Sequence, residues 1–219
     1  MAGSNYNFMK NDIFRYIALV CVALTFAVQG HARTATDFFK AAPEGQIALL
    51  TAPTRLDMID YFDFGSDHDS KNALNGQARL TRVSDTDIAF VVDSDIDMQL
   101  VVLPAKNDTI LALVTTIHSP VADSSIEFFD SSWNRLKRTP FAMPAYKDWL
   151  TAEGKRDLTS VEMYLPFISV KASFEPDGRR LTLENMAGEY LDEEDYKKVK
   201  DLIVPQKKYD VSAGRFVLK

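Results

Sequence analysis

The sequence predicts an α+β fold in which N-terminal helices and a C-terminal helix pack on a large antiparallel β-meander sheet. Between residues 79 and 129, apolar residues come in short runs typical of β-strands, and polar turns of two to four residues separate several of them. Such short connections only fit antiparallel neighbours, so these runs form a meander. Capping residues and helically spaced apolar side chains near the two ends of the chain predict the helices.

Strands account for most of the predicted structure. The meander strands cover residues 79–83, 87–92, 97–103, 109–118 and 125–129. Further strands are predicted at residues 133–136, 161–165, 167–174, 180–183 and 215–218. No repeat of fixed period and no linker rich in glycine, serine or proline divides the chain. We therefore predict a single α+β domain over residues 33–219, with a seam near residues 140–154 as the only candidate boundary.

Three helices carry terminal signals. Thr36 can cap the first, over residues 37–42, and residues 54–57 resemble a capping box that opens the second, which Gly65 ends. The third begins with an acidic run at residues 192–195 and continues with lysines, the charge order that complements a helix dipole. The predicted core face of the second helix consists of Leu56, Ile59 and Phe62.

The N-terminus has the three zones of an export signal. A polar start carries Lys10 and Arg15, an uncharged apolar run follows over residues 16–28, and Gly30 and Ala32 occupy the small-residue positions that a signal peptidase needs. The apolar run has 13 residues, whereas a membrane-spanning helix needs about 20. We therefore predict cleavage near Ala32, no stable membrane anchor, and a periplasmic or secreted protein of a Gram-negative bacterium.

Removal of residues 1–32, the predicted signal peptide, changes the chemistry open to the mature chain. Lys10, Arg15 and Asp12 leave with the signal, which shifts the formal net charge from −6 to −7. An acidic chain disfavours nucleic acid, because proteins bind phosphates mainly through lysine and arginine. Cys21, the only cysteine, leaves too, so the sequence excludes disulfides, thiol nucleophiles, iron–sulfur clusters and cysteine zinc sites.

Four segments of the mature chain together resemble an uncharacterised protein family. They are residues 54–62 (Thr-Arg-Leu-Asp-Met-Ile-Asp-Tyr-Phe), 72–76 (Asn-Ala-Leu-Asn-Gly), 107–110 (Asn-Asp-Thr-Ile) and 126–133 (Ile-Glu-Phe-Phe-Asp-Ser-Ser-Trp). Over nearly its whole mature length, the sequence is similar to this domain-of-unknown-function family of small exported proteins from Bacteroidales bacteria. The resemblance implies a Gram-negative envelope setting, and it carries over no catalytic residue and no cofactor.

An acidic segment is the first candidate site. It runs from the second helix into the long polar loop over residues 65–76, and it includes His68. Converging carboxylates suit Ca²⁺ or Mg²⁺. The metal candidates are Asp57, Asp60, Asp63, Asp67 and Asp69. The simpler interpretation is that Asp57 caps its helix, that Asp60 and Asp63 face water, and that the loop aspartates serve turns. We favour that interpretation and expect no cofactor.

A basic stretch beside an aromatic residue is the second candidate site. Trp133, Arg135 and Arg138 are the binding candidates there. Together they could hold an anionic partner. The alternative is a core tryptophan next to a charged edge strand that resists aggregation, and we slightly favour this alternative.

These patterns leave two functions open. The catalytic and cofactor motifs G-x-S-x-G, H-E-x-x-H, G-x-G-x-x-G and the Walker loop do not occur in the sequence, and only His68 and His118 remain after cleavage. The leading hypothesis is a non-enzymatic binding or interaction module of the bacterial envelope, with a protein or a glycan as its partner. Its rival is a cation-dependent or carboxylate-based hydrolase that uses the aspartates of residues 57–69.

Overall fold

The structure, a computed structural model, describes residues 32–103, 105 and 109–219. Thr34–Lys219 form one compact unit. The predicted export signal lies outside the described residues apart from Ala32, so it stays a prediction, together with the roles of Lys10, Arg15 and Cys21. Within the described ranges, no helix combines the length and the apolar character that crossing a bilayer requires.

The strands of the described ranges form two antiparallel sheets. The first is a six-stranded meander in chain order, with strands β1 (Ser70–Lys71), β2 (Gln77–Val83), β3 (Asp87–Asp93), β4 (Ile96–Leu103), β5 (Ile110–Ile117) and β6 (Asp123–Phe129). The second sheet contains β7 (Val170–Phe174), β8 (Arg180–Asn185), β9 (Gln206–Ser212) and β10 (Arg215–Leu218), in the spatial order β10-β9-β8-β7. The predicted α+β class is confirmed, and the strands are divided between two sheets.

Along the chain, helices precede the first sheet, connect the two sheets and connect two strands of the second sheet. The helices before the first sheet are α1 (Ala35–Lys40) and α2 (Ala52–Asp63). The connection between the sheets contains a 3₁₀ helix (Tyr146–Trp149), α3 (Ala152–Arg156) and α4 (Leu158–Tyr164). The connection from β8 to β9 contains α5 (Ala187–Tyr190) and α6 (Glu193–Val199).

A reciprocal capping box opens α1. The hydroxyl of Thr34 accepts a hydrogen bond from the Asp37 amide at 3.2 Å, and the Asp37 carboxylate accepts one from the Thr34 amide at 2.8 Å. The predicted cap, Thr36, is wrong, because it already lies inside the helix. The reason is spacing: the carboxylate that completes a capping box must stand three residues after the cap, as Asp37 does after Thr34.

α2 also begins earlier than predicted. Thr51 is its N-cap and accepts a hydrogen bond from the Thr54 amide at 3.3 Å, and Pro53 occupies the first turn, where its missing N–H costs nothing. The predicted capping box over residues 54–57 is wrong, because Thr54 is helical and its hydroxyl donates to the Lys71 carbonyl at 3.2 Å. Asp57 therefore lies inside the helix and does not cap it.

The buried face of α2 contains a charged residue. Arg55, Met58 and Ile59 are buried there, whereas Leu56 is 48% and Phe62 is 39% exposed, so the predicted face is correct only at Ile59. The Arg55 guanidinium donates to the Leu50 carbonyl at 2.8 Å and to the Ala42 carbonyl at 2.5 Å. Its burial lowers the pKa of Arg55. These bonds tie the segment between α1 and α2 to the core, which hydropathy alone does not predict.

Two strand predictions differ from the structure, and one long strand was not predicted. The run over residues 161–165 is wrong as a strand, because it belongs to α4 and the Leu165 turn. The returning strand at residues 133–136 is reduced to a single bridge between Phe129 and Arg135. β9 went unpredicted, since its sequence Gln-Lys-Lys-Tyr-Asp-Val-Ser is largely polar. Short apolar runs do not distinguish helix from strand, and partner strands decide such cases.

Both faces of the first sheet are buried, by different partners. One face packs against α1 and α2 through a core that includes Phe38, Phe39, Met58, Phe90, Leu100, Leu111 and Phe129. The other face packs against the second sheet through a core that includes Val101, Ala112, Val114, Phe128, Phe174, Leu183 and Trp149. A third, smaller core joins α4, α5 and α6 through Val161, Leu165, Ala187 and Val199. Burial on both faces explains the nearly continuous apolar runs of β4 and β5.

Side chains of the first sheet bind the edge strand of the second. Three backbone amides of β7 donate to side-chain oxygens of β4 and β6. The pairs are Val170 with Asp123 at 2.9 Å, Ala172 with Ser124 at 3.0 Å and Phe174 with Gln99 at 2.9 Å. Alternate amides of an edge strand point away from its own sheet, and buried amides need partners. These bonds satisfy them and fix the docking of the two sheets.

Candidate functional site

A cleft of about 310 Å³ lies between α2, the loop that follows it and β2. We call it the loop cleft. Its apolar walls come from Met58, Tyr61, Phe62, Ala78 and Leu80, and its polar lining from Ser66, Asp67, His68, Asp69, Ser70 and Arg79. The loop that the sequence singled out as unusually long therefore forms one wall of a concave surface.

Local turns shape the loop that forms the cleft. α2 ends at Asp63 with Phe64 as its C-cap, and Gly65 takes a positive φ of 62°, which glycine adopts without strain. Farther along, the Asn72 side chain accepts hydrogen bonds from the Leu74 amide at 2.9 Å and the Gly76 amide at 2.8 Å. The same side chain donates to the Val92 carbonyl at 2.8 Å, which anchors the turn to β3.

The cleft brings together two of the five metal candidates. Asp67 and Asp69 line it, and Asp69 forms an ion pair with Arg79 at 3.6 Å. The other three candidates, Asp57, Asp60 and Asp63, are exposed on α2 and do not line the cleft. Within the ranges that the structure describes, no three His, Cys, Asp or Glu side chains are grouped so that they could hold a metal ion.

Aromatic and hydroxyl groups complete the lining. The rings of Tyr61 and His68 meet edge to face with centroids 6.3 Å apart. Ser70 is only 4% exposed, and its hydroxyl has no hydrogen-bond partner among the described atoms. A buried polar group without a partner costs free energy that a ligand or a water molecule can recover. Sequence reasoning missed Tyr61, Phe62 and Arg79, because their convergence depends on how α2 docks against β2.

The basic binding candidates do not form one surface with their tryptophan. Trp133 is only 6% exposed, and its indole N–H donates to the Phe38 carbonyl at 3.2 Å. Arg135 pairs with Glu127 across the neighbouring strand, and Arg138 is exposed. In this arrangement Trp133 belongs to the core. Of the three binding candidates, only the two arginines are exposed to a partner.

His118 has a carboxylate partner in a smaller groove of about 190 Å³ along β2, β3, β4, β5 and β7. Its Nε2 lies 2.8 Å from Asp97 Oδ2. Such a pair can orient an imidazole as a general base when a nucleophile stands on its other side. The nearby hydroxyls of Thr116 and Ser124 bond to each other at 2.8 Å, and in the described part of the chain no hydroxyl is hydrogen-bonded to His118. The pair therefore gives no support for a hydrolase.

A third concave surface lies beside the loop between β5 and β6. We call it the aromatic groove. It has a volume of about 660 Å³ and is lined by Ile117, Ser119, Pro120, Val121, Asp123, Phe167, Ser169 and Tyr190. Phe167 and Tyr190 stack in parallel, with centroids 5.0 Å apart and planes 6° apart. Their separation of 23 residues in the chain left no local signal of this contact in the sequence.

Tyr190 is held in place by its hydroxyl as well as its ring. The hydroxyl donates to the Phe167 carbonyl at 2.5 Å. Burial is the main cause that raises the pKa of Tyr190 to about 12. The phenol therefore stays neutral and keeps its donor role at physiological pH.

Comparison with known proteins identifies a similar fold and a family for this chain. A solved domain of an uncharacterised protein from Porphyromonas gingivalis W83 is similar, with a TM-score of 0.73 and 20% sequence identity; the match covers 86% of this chain and 99% of that one. At this identity the likeness concerns the fold. No curated protein matches the chain. The family model described as "Protein of unknown function (DUF3256)" matches residues 27–216. The resemblance to an uncharacterised family is thereby confirmed, and the chain belongs to DUF3256.

Proposed function

We propose that this protein is a non-enzymatic binding module of the bacterial envelope, and that its loop cleft receives a side chain of a protein partner. The observation that carries the proposal is the lining of the cleft, in which aromatic and aliphatic walls stand beside the two carboxylates Asp67 and Asp69. Ligand pockets are mostly apolar and use a few polar groups to fix orientation.

Charge indicates the chemistry of the partner. Residues 56–69 contain five aspartates and neither lysine nor arginine. Asp69 already faces Arg79, so the exposed Asp67 and the carboxylates of α2 are the ones that can meet an incoming cation. A partner segment with an apolar side chain next to a lysine or arginine matches both the cleft and its acidic surroundings.

Exposed apolar side chains are concentrated in the same part of the chain. Among the described residues, ten large hydrophobic side chains are exposed, and five of these belong to α2 or to the loop after it. The five are Leu56, Tyr61, Phe62, Phe64 and Leu74. Exposed apolar residues surrounded by polar ones are typical of protein interaction sites. This concentration supports a protein partner.

A peptide-binding experiment tests the proposal. The probe is a short labelled peptide that alternates leucine with lysine, compared with a peptide that has glutamate in place of lysine. We expect fluorescence anisotropy to show binding of the lysine peptide, weakened by added salt, and little binding of the glutamate peptide. Equal binding of the two peptides, or no binding of either, contradicts the proposal.

Variants locate the binding surface. Tyr61→Ser removes an aromatic wall of the cleft, and Asp67→Asn removes a carboxylate at an exposed position, where an ion pair is worth at most about 1 kcal/mol. We expect the aspartate change to weaken the lysine peptide by about two- to fivefold and the tyrosine change to weaken it further. Asp201→Asn is the matched control, since Asp201 is exposed and lies outside the cleft. Equal effects of Asp67→Asn and Asp201→Asn argue against binding in the cleft.

Calcium and magnesium distinguish the proposal from its rival, a cation-dependent or carboxylate-based hydrolase that uses the same aspartates. An ion that binds the folded state must raise the melting temperature. We expect millimolar Ca²⁺ or Mg²⁺ to leave it unchanged, because only Asp67 and Asp69 of the five candidates line the cleft. A cation-dependent rise that Asp67→Asn abolishes supports the rival.

The envelope location rests on the predicted export signal. Cleavage near Ala32 predicts that the protein isolated from its native host begins at Arg33 and lacks Cys21. Mass spectrometry of the intact protein measures this directly. A chain that still begins at Met1 in the isolated protein contradicts the location.

A further inference from the structure

We propose that the aromatic groove binds a carbohydrate, with a sugar ring stacked on Phe167. The groove shares no lining residue with the loop cleft, so it is a separate site that goes beyond the binding of a protein partner. Three features of the groove carry the proposal: an exposed aromatic ring, the rigidity of that ring, and polar groups beside it.

Exposure is the first feature. Phe167 is 55% exposed although it is a large apolar residue, and Ile117 in the same groove is 50% exposed. One face of the Phe167 ring packs on Tyr190. The exposed part of the ring is therefore open to a flat apolar surface, and the C–H face of a pyranose ring is such a surface.

Rigidity is the second feature. The parallel stack with Tyr190 holds the Phe167 ring, and the hydrogen bond from the Tyr190 hydroxyl to the Phe167 carbonyl, at 2.5 Å, holds its backbone. A platform that is already ordered loses little conformational entropy when a ligand binds, so more of the contact energy contributes to affinity. This preorganisation favours a ligand that recognises a flat ring.

Polar groups beside the ring are the third feature. Asp123, Ser119 and Ser169 line the groove. Asp123 accepts one hydrogen bond, from the Val170 amide at 2.9 Å, and a carboxylate has about four acceptor positions, so it can also accept from sugar hydroxyls. The serine hydroxyls can donate as well as accept. A purely apolar ligand would leave these groups without partners, whereas a sugar presents an apolar face and a hydroxylated edge.

The size of the groove fits this class of ligand. Its volume of about 660 Å³ falls inside the range of roughly 300–1,000 Å³ of small-molecule pockets. It is the largest of the three concave surfaces described above. Of the partners considered for this protein, a glycan matches it better than a peptide, because the groove has no cluster of charges to meet a basic segment.

Saturation-transfer NMR with the full mature chain tests the proposal. The probes are soluble tetrasaccharides of β-1,4-linked glucose, β-1,4-linked N-acetylglucosamine and α-1,4-linked glucose. We expect at least one of them to receive saturation at its ring C–H protons, and Phe167→Ala to weaken its binding by about tenfold or more. Phe167→Tyr keeps the aromatic face and should retain binding.

Two controls separate the ring from general effects. Met163→Ala removes another exposed side chain of the same region, 70% exposed and outside the groove, and should bind like the unchanged chain. If Phe167→Ala does not fold, Phe167→Leu keeps an apolar side chain and removes the aromatic face. No binding of any of the three oligosaccharides at millimolar concentration overturns the proposal. Equal binding by Phe167→Ala and Met163→Ala overturns it too. An apolar dye that binds in the groove and that no oligosaccharide displaces has the same consequence. A failure here leaves peptide binding in the loop cleft untouched.

Discussion

At the scale of single residues, Gln99 is a buried polar group that links the two sheets. Its side-chain amide donates to Asp87 at 2.5 Å and to the Phe174 carbonyl at 2.9 Å, while its oxygen accepts from the Phe174 amide. Asp87 is fully buried and also accepts from the Arg82 guanidinium at 2.6 Å. Every member of this network therefore has a partner, which is the condition under which a buried polar group stabilises a fold.

Replacement of Gln99 by leucine should destabilise the protein strongly. Gln99→Leu leaves the Phe174 amide and carbonyl without partners and removes a donor to Asp87, so the free energy of unfolding should fall by about 2–4 kcal/mol. Urea denaturation measures this. Gln206→Leu is the control, because Gln206 is exposed, and it should change stability by about 0.5 kcal/mol or less. Similar losses for the two variants contradict the role of the network.

Tyr190 should make stability depend on alkaline pH. Its pKa in the folded state is raised to about 12, from an ordinary value of 10.0. The stability that the neutral Tyr190 phenol contributes is fully present below pH 10. It is lost as pH rises towards 12, because the phenol ionises at a lower pH in the unfolded chain than in the folded protein. We expect the unfolding free energy, measured in urea, to fall over this window less steeply in Tyr190→Phe than in the unchanged chain. Equal slopes contradict the prediction.

At the scale of elements, helix starts depend on side-chain caps that more than one threonine could supply. Thr34 and Thr36 are both candidate N-caps of α1. Thr34 is the N-cap in the structure, because Asp37 lies three residues after it and completes the capping box. At the α2 start, Thr51 caps the helix by accepting from the Thr54 amide, and Thr54 lies within the helix. Each observed cap therefore lies two or three residues before the predicted one.

Two threonine variants test the position of the α1 cap. Thr34→Ala removes the hydroxyl that accepts from the Asp37 amide, and it should cost about 1 kcal/mol of unfolding free energy. Thr36→Ala, the matched control, replaces a helical residue and should cost much less, since alanine has the higher helix propensity. Thermal or urea denaturation of the two variants gives the comparison. A larger loss for Thr36→Ala contradicts the assignment.

At the scale of the whole molecule, one sheet supports two cores, and each contains a tryptophan. Trp133 belongs to the core between the first sheet and helices α1 and α2. Trp149 belongs to the core between the two sheets. β4 and β5 contribute side chains to both cores, so disruption of either core disturbs strands that the other needs. We therefore expect the two cores to unfold together, as the predicted single domain over residues 33–219 requires.

Single-tryptophan variants test this cooperativity. Trp133→Phe leaves Trp149 as the only tryptophan, and Trp149→Phe leaves Trp133. In each variant we expect the fluorescence transition in urea to coincide with the far-ultraviolet circular dichroism transition, as a two-state domain requires. The comparison within one variant removes the effect of the substitution on overall stability. Separated transitions would show that the two cores unfold independently.

The sequence by itself determined the local features of this protein. The α+β class, the meander strands and the end of α2 just before Gly65 follow from hydrophobic period, turn residues and backbone preferences, which act over a few neighbouring residues. Membership of an uncharacterised family was also evident from sequence segments. The acidic loop was recognised as a candidate site, although only Asp67 and Asp69 of its candidates line the cleft.

Only the tertiary structure decided which distant residues meet. The docking of the two sheets depends on Gln99, Asp123 and Ser124, which accept hydrogen bonds from the edge strand β7, and no local pattern marks those side chains as partners. The helical state of residues 158–164 depends on packing in the third core. The stack of Phe167 on Tyr190 and the position of Arg79 beside Asp69 likewise arise from contacts between separate elements. Contacts between separate elements form the concave surfaces. The residues that line these surfaces can therefore be identified only from the folded structure.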